Sequence, residues 1–186
     1  MSRTSRTRQP AAASDSRAHG SANRVGRVVL GVSASASGHA ALRAAVAEAV
    51  VSGAELQLVR AWREAEWLPS ATSAGVAALM ASKSADQRAL RDAAQTARDA
   101  CGDRGLCVLS ELVGGDVYAT LLARSAGADL LVLGAGGSPG VPGAVAQWLR
   151  QRVTCPVAVV DAHGEAVLAT DLPGVGHAPV GARRAV

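Results

Sequence analysis

The sequence predicts a doubly wound α/β domain, a five-stranded parallel sheet with helices on both faces. Two observations carry this reading. Five short apolar runs alternate with four stretches of helical character, the order that parallel strands joined by crossover helices require. The segment from Leu130 to Val160 then reads as buried strand, glycine-rich loop, helix and buried strand. Right-handed crossovers turn that alternation into a sheet wrapped on two sides.

Each element has its own signal. Gly26 to Val32 is a short run with the β-branched enrichment of a buried strand. Leu42, Val46, Ala49 and Val50 recur at helical spacing, and Gly53 is placed to end that helix in a left-handed cap. Leu56 to Ala61 is the second strand. Pro69 punctuates a connection, after which Ser70 to about Gly102 is Ala-rich and helical, with a weak break expected near Ser82–Ser84. Leu106 to Leu112 is the third strand. Asp116 follows Gly114-Gly115 as an N-cap for a short helix marked by Val117, Leu121 and Leu122. Leu130 to Leu133 is the fourth strand. Val145, Trp148, Leu149 and Val153 form one apolar helix face, and Val157 to Val160 is the fifth strand.

Residues 1–25 read as a disordered basic tail, residues 26–160 as the folded domain, and residues 161–186 as a flexible tail without a second core. The chain has 186 residues and a formal charge of +4. Nearly all of that excess lies in the first 26 residues, which hold five arginines against one aspartate, whereas residues 27–160 carry 12 basic and 11 acidic groups. A basic groove for nucleic acid on the domain is therefore not expected. Phe is absent and aromatic residues make up 2%, so Ala, Val and Leu must fill the core. Cys101, Cys107 and Cys155 lack C-x-x-C spacing and the four histidines are scattered, which predicts reduced thiols, no metal cluster and a cytoplasmic setting. No run reaches the length of a membrane span, and the amino-terminal tail has no apolar core of a secretory signal.

The glycine-rich loop after the fourth strand is where open α/β sheets bind ligands. The N–H groups of a following helix favour anions there. Residues 26–160 resemble the universal stress protein family along their length. The likeness begins at Arg27-Val28-Val29-Leu30-Gly31-Val32 and the helix from His39 to Ala45, and continues through Gly53 to Trp62. It returns at Gly114-Gly115-Asp116, Ala128 to Gly134 and Cys155-Pro156-Val157. The resemblance implies strand order 3-2-1-4-5 and, in many members, ATP binding. On this chain the implied nucleotide positions are Val32, Ser33, Ala61, Gly134, Gly137, Gly143, Ala144 and Val145.

The family's ATP pattern is Gly, two residues, Gly, nine residues, then Gly followed by Ser or Thr. Gly134 and Gly137 match the first pair and Gly143 the third glycine, but only Ser138 to Pro142 intervene, so the loop is four residues short. Ala144 stands where a hydroxyl is usual, Ser33 where an acidic residue is usual, and the loop holds no Lys or Arg. These departures predict a non-enzymatic stress-response module with weak or absent ATP binding, acting through an unnamed protein partner. The alternative is an ATP-binding sensor that grips the nucleotide through backbone amides of the shortened loop.

The resemblance also implies a homodimer through the last strand. Val157, Val159 and Val160 are apolar and would lie at an uncovered sheet edge, which a second copy could close by antiparallel pairing. Other chemistries fit poorly. Gly134-Ala135-Gly136 lacks the spacing and position of a dinucleotide fingerprint. Ser33, Ser35 and Ser37 are not in a nucleophile elbow, and a loop hydroxyl capping the helix near His39 is the simpler role. The Ser-Gly-Gly-x-Asp-Ser loop of the related ATP pyrophosphatases has no counterpart in Ser33 to Ser37. Trp148 is expected in the core, Trp62 and Trp67 beside the connection after strand two, and Arg150 and Arg152 at a helix end that suits their charge.

Overall fold

A computed structural model describes residues 26–62, 72–136 and 141–169. The strands are β1 (Arg27–Gly31), β2 (Glu55–Trp62), β3 (Val108–Gly114), β4 (Leu130–Gly134), β5 (Val157–Val160) and β6 (Ala166–Ala169). The helices are α1 (Ala36–Ser52), α2 (Ser73–Cys101), α3 (Val117–Ser125) and α4 (Ala144–Arg150). They build one sheet of order β3-β2-β1-β4-β5-β6, in which the first five strands are parallel and β6 runs antiparallel to β5.

Successive strand residues point to opposite faces, and here both faces are covered. Val28, Leu30, Leu56, Leu58 and Val132 pack beneath α1 and α2, together with Leu42, Val46, Leu90 and Ala97. Val29, Val59, Leu131, Leu133 and Val157 pack on the other side, with Leu121 of α3 and Leu149 of α4. Burial on both sides is why β1, β4 and β5 read as runs of apolar residues, while β3 at the sheet edge keeps Ser110 and Glu111 and has no buried residue.

The caps follow from local chemistry. Ser35 accepts a hydrogen bond from the Gly38 N–H at the start of α1, and Gly53 ends that helix at φ 66°, donating its N–H to the Ala49 carbonyl. Asp116 caps α3 by accepting from Ala119 N–H at 2.9 Å. The break expected near Ser82–Ser84 is absent: α2 runs unbroken, since serine costs a helix only a few tenths of a kcal/mol relative to alanine. The third strand starts at Val108, two residues later than the apolar run suggests.

The sheet also continues past residue 160. Asp161 Oδ1 accepts from the N–H groups of His163 (2.8 Å) and Glu165 (2.9 Å), fastening a turn that folds β6 back onto β5. This corrects two expectations. Residues 161–169 are not a loose tail, and Val157, Val159 and Val160 are not an open edge. All three valines are fully buried, and β6 provides the margin. The tail at 1–25, the segment holding Trp67 and Pro69, Gly137 within the loop, and residues 170–186 lie outside the described residues.

Candidate functional site

β1 and β4 are neighbouring parallel strands whose chains leave in opposite directions. After β1 the backbone turns into α1 on one face; after β4 it leads to α4 on the other. That divergence opens a crevice at the carboxyl ends of the two strands, the switch point of an open α/β sheet.

The crevice has a volume of about 520 Å³. Val32, Ser33, Ala61, Gly134, Gly143, Ala144 and Val145 all line it. Seven of the eight positions named from the sequence are thus brought together from four separate segments, and the eighth, Gly137, lies outside the described residues.

Glycine makes the space. A Cβ on Gly31 would stand 2.7 Å from Leu133 Cδ2, in the floor of the cleft. Gly136 takes a left-handed conformation at φ 57°, which a side chain would strain. Gly143 donates its N–H to the Ala135 carbonyl at 2.6 Å, closing the base of the loop and using up one amide that a ligand could otherwise take.

A line of serine hydroxyls joins the two walls. Ser33 Oγ lies 3.1 Å from Ser35 Oγ, and Ser35 Oγ lies 3.1 Å from Ser37 Oγ. Ser37 Oγ accepts the Gly136 N–H at 3.1 Å, across 99 residues of sequence. The three serines therefore hold the loop after β1 against the loop after β4, and the capping role expected of a hydroxyl near His39 falls to Ser35. No acid or base among the described residues completes them as a nucleophile.

Arg60 is a site residue that sequence reasoning missed. It lines the cleft, with Nη1 donating to the Val32 carbonyl at 2.9 Å and Nε and Nη2 both donating to Asp86 Oδ1 of α2. The sequence does hold a signal for it: an arginine near the end of a buried strand has to be matched by a carboxylate or a carbonyl. Trp62 is buried with Lys83 Nζ 4.4 Å above its ring, and it is not among the residues lining the cleft. Trp148 is only half buried; Tyr118 meets it edge-on at 5.2 Å, and Arg152 sits over its ring rather than serving the helix end alone.

Burial raises the thiol pKa of Cys101 and Cys155 above the ordinary value. On the rim of the sheet, hydrogen bonds from Arg124 hold the Glu111 carboxyl below the usual range. Among the described residues no three His, Cys, Asp or Glu side chains are grouped to hold a metal ion, and no helix is long and apolar enough to cross a membrane.

Comparison with known proteins agrees with this architecture. A search of curated proteins found no match. Among solved structures, universal stress protein UspA from Lactobacillus plantarum is 21% identical, with a TM-score of 0.62, covering 74% of this chain and 98% of its own. A universal stress protein family member from Burkholderia pseudomallei is 26% identical, TM-score 0.52, covering 72% and 94%. A universal stress protein in complex with cAMP is 22% identical, TM-score 0.52, covering 73% and 96%. The sequence model described as the Universal stress protein family matches residues 24–161. With the fold, the sheet order and that match in agreement, the chain belongs to the universal stress protein family.

Proposed function

We propose that this protein is a non-catalytic stress-response module whose switch-point cleft holds an adenine nucleotide weakly, and that it acts by association with another protein rather than by chemistry. One observation carries the reading. The cleft is open and formed, yet its polar equipment among the described residues is thin: Ser33 offers a hydroxyl, and the guanidinium of Arg60 is already engaged by Asp86 and the Val32 carbonyl. Ala144 contributes no hydroxyl to a phosphate. A cavity of this size suits a nucleoside, while a triphosphate would gain few side-chain contacts. The solved family member in complex with cAMP supports an adenine nucleotide as the ligand class.

Calorimetric titration with ATP and magnesium tests this. The expected dissociation constant is weaker than about 100 µM, roughly 5.5 kcal/mol of binding. Ala144→Ser alone should change it little while the loop stays short. Low-micromolar affinity would instead favour the second reading, a nucleotide sensor working through backbone amides. The first-turn residues Ala144 to Ala146 on the cleft wall are what favour that alternative.

A further inference from the structure

We infer that Arg60 is a positioning residue that couples the cleft to α2, so that occupancy of the cleft is read out in the amino-terminal half of that helix. The inference rests on the proposed ligand class, but its geometry stands apart from it.

None of the first seventeen residues of α2 is buried; Leu90 is the first that is. Among the described residues, buried hydrophobic packing is therefore confined to the second half of the helix. Two polar contacts tie the first half to the sheet. Lys83 Nζ lies 4.4 Å over the Trp62 ring at the end of β2, and one turn later Asp86 takes the fork of Arg60 at 2.9 and 2.6 Å. With side chains only 21% and 16% exposed, the ion pair is less screened than a surface pair.

The remaining nitrogen of that fork reaches the cleft. Nη1 donates to the Val32 carbonyl at 2.9 Å, while the Val32 N–H donates to the Val59 carbonyl at 2.8 Å. Val32 is thus held by β2 at both its backbone groups. Val32 and Ser33 line the cleft on one side and a second cavity of about 590 Å³, between α1 and α2, on the other. They form a thin partition, pinned through Arg60 to Asp86. A ligand pressing on Val32 and Ser33 restrains that pin, and the half of α2 that depends on it becomes more ordered. By reciprocity, whatever orders α2 stiffens the cleft wall.

Hydrogen exchange of the full chain, with and without millimolar magnesium ATP, tests the coupling. In the wild type, nucleotide should slow exchange at residues 31–36 and also at 73–89, the latter by about tenfold. In Asp86→Asn the protection at 31–36 should remain and that at 73–89 should vanish. Protection of 31–36 without any change at 73–89 in the wild type would overturn the coupling while leaving nucleotide binding intact. Absence of protection anywhere would overturn nucleotide binding, and the unliganded proteins then decide the coupling. Exchange at 32–36 and 73–89 should rise together in Asp86→Asn while 117–125 stays as in the wild type. A uniform rise along the chain would show the pair to be merely structural, and no rise would show that it ties neither segment down; either result overturns the coupling.

Discussion

A methyl group on Gly134 would stand 2.8 Å from the Gly38 nitrogen and 2.9 Å from the Ser37 carbonyl carbon. Both contacts are backbone, so neither can swing aside. In the sequence Gly134 reads as the first glycine of a phosphate loop, and the structure gives it a second role. It lets the end of β4 touch the start of α1, which sets the spacing of the cleft walls. Gly134→Ala should therefore destabilise the fold by about 1–3 kcal/mol, the usual cost of overpacking. The melting temperature should fall by several degrees whether or not nucleotide is present. An unchanged melt would mean that the glycine serves the ligand alone. The same limit on sequence reading applies to Arg60. Its type and place in β2 are visible, but which carboxylate and which carbonyl it meets depends on how α2 lies across the sheet.

β6 shows how one short element changes what a surface can do. The expected homodimer requires β5 to be open, and its premise is sound: an uncovered edge exposes unpaired N–H and C=O groups. The chain meets that hazard itself, by turning at Asp161 and laying β6 along β5. Ala166 to Ala169 holds one β-branched residue where Val157 to Val160 holds three, which is why the short strand does not stand out from a loop in the sequence. Trimming the chain to residues 26–162 should expose the valines of β5 and produce dimers or insoluble protein, whereas 26–169 should not associate through that edge. Light scattering at micromolar concentration distinguishes the two. If both forms have the same mass, β6 is not what governs pairing at β5.

Across the whole molecule, two hydrophobic layers share one sheet, and a free cysteine sits in each. Cys101 is buried in the α1–α2 layer and Cys155 in the α3–α4 layer, while Cys107 is exposed. Because every inner strand contributes residues to both layers, neither should open by itself. A thiol reagent should label Cys107 at once. Cys101 and Cys155 should be protected, both by burial and by raised thiol pKa values, until they react at the same denaturant concentration. Release of one well before the other would show that the faces unfold separately.

The sequence by itself determined the fold class, the five parallel strands, the caps at Asp116 and Gly53, and the group of residues that meet in the cleft. The elements and caps follow from periodicity, local hydrogen bonding and glycine placement, all properties of neighbours along the chain, whereas the cleft residues follow from the resemblance to the family. Tertiary structure alone decided that Ser37 would hold Gly136, that Asp86 and Val32 would share Arg60, and that β6 would close the β5 edge. Each of these depends on which groups face one another once the layers have packed. A side chain's type states what partner it needs, while the packing of the sheet and helices selects the partner it gets.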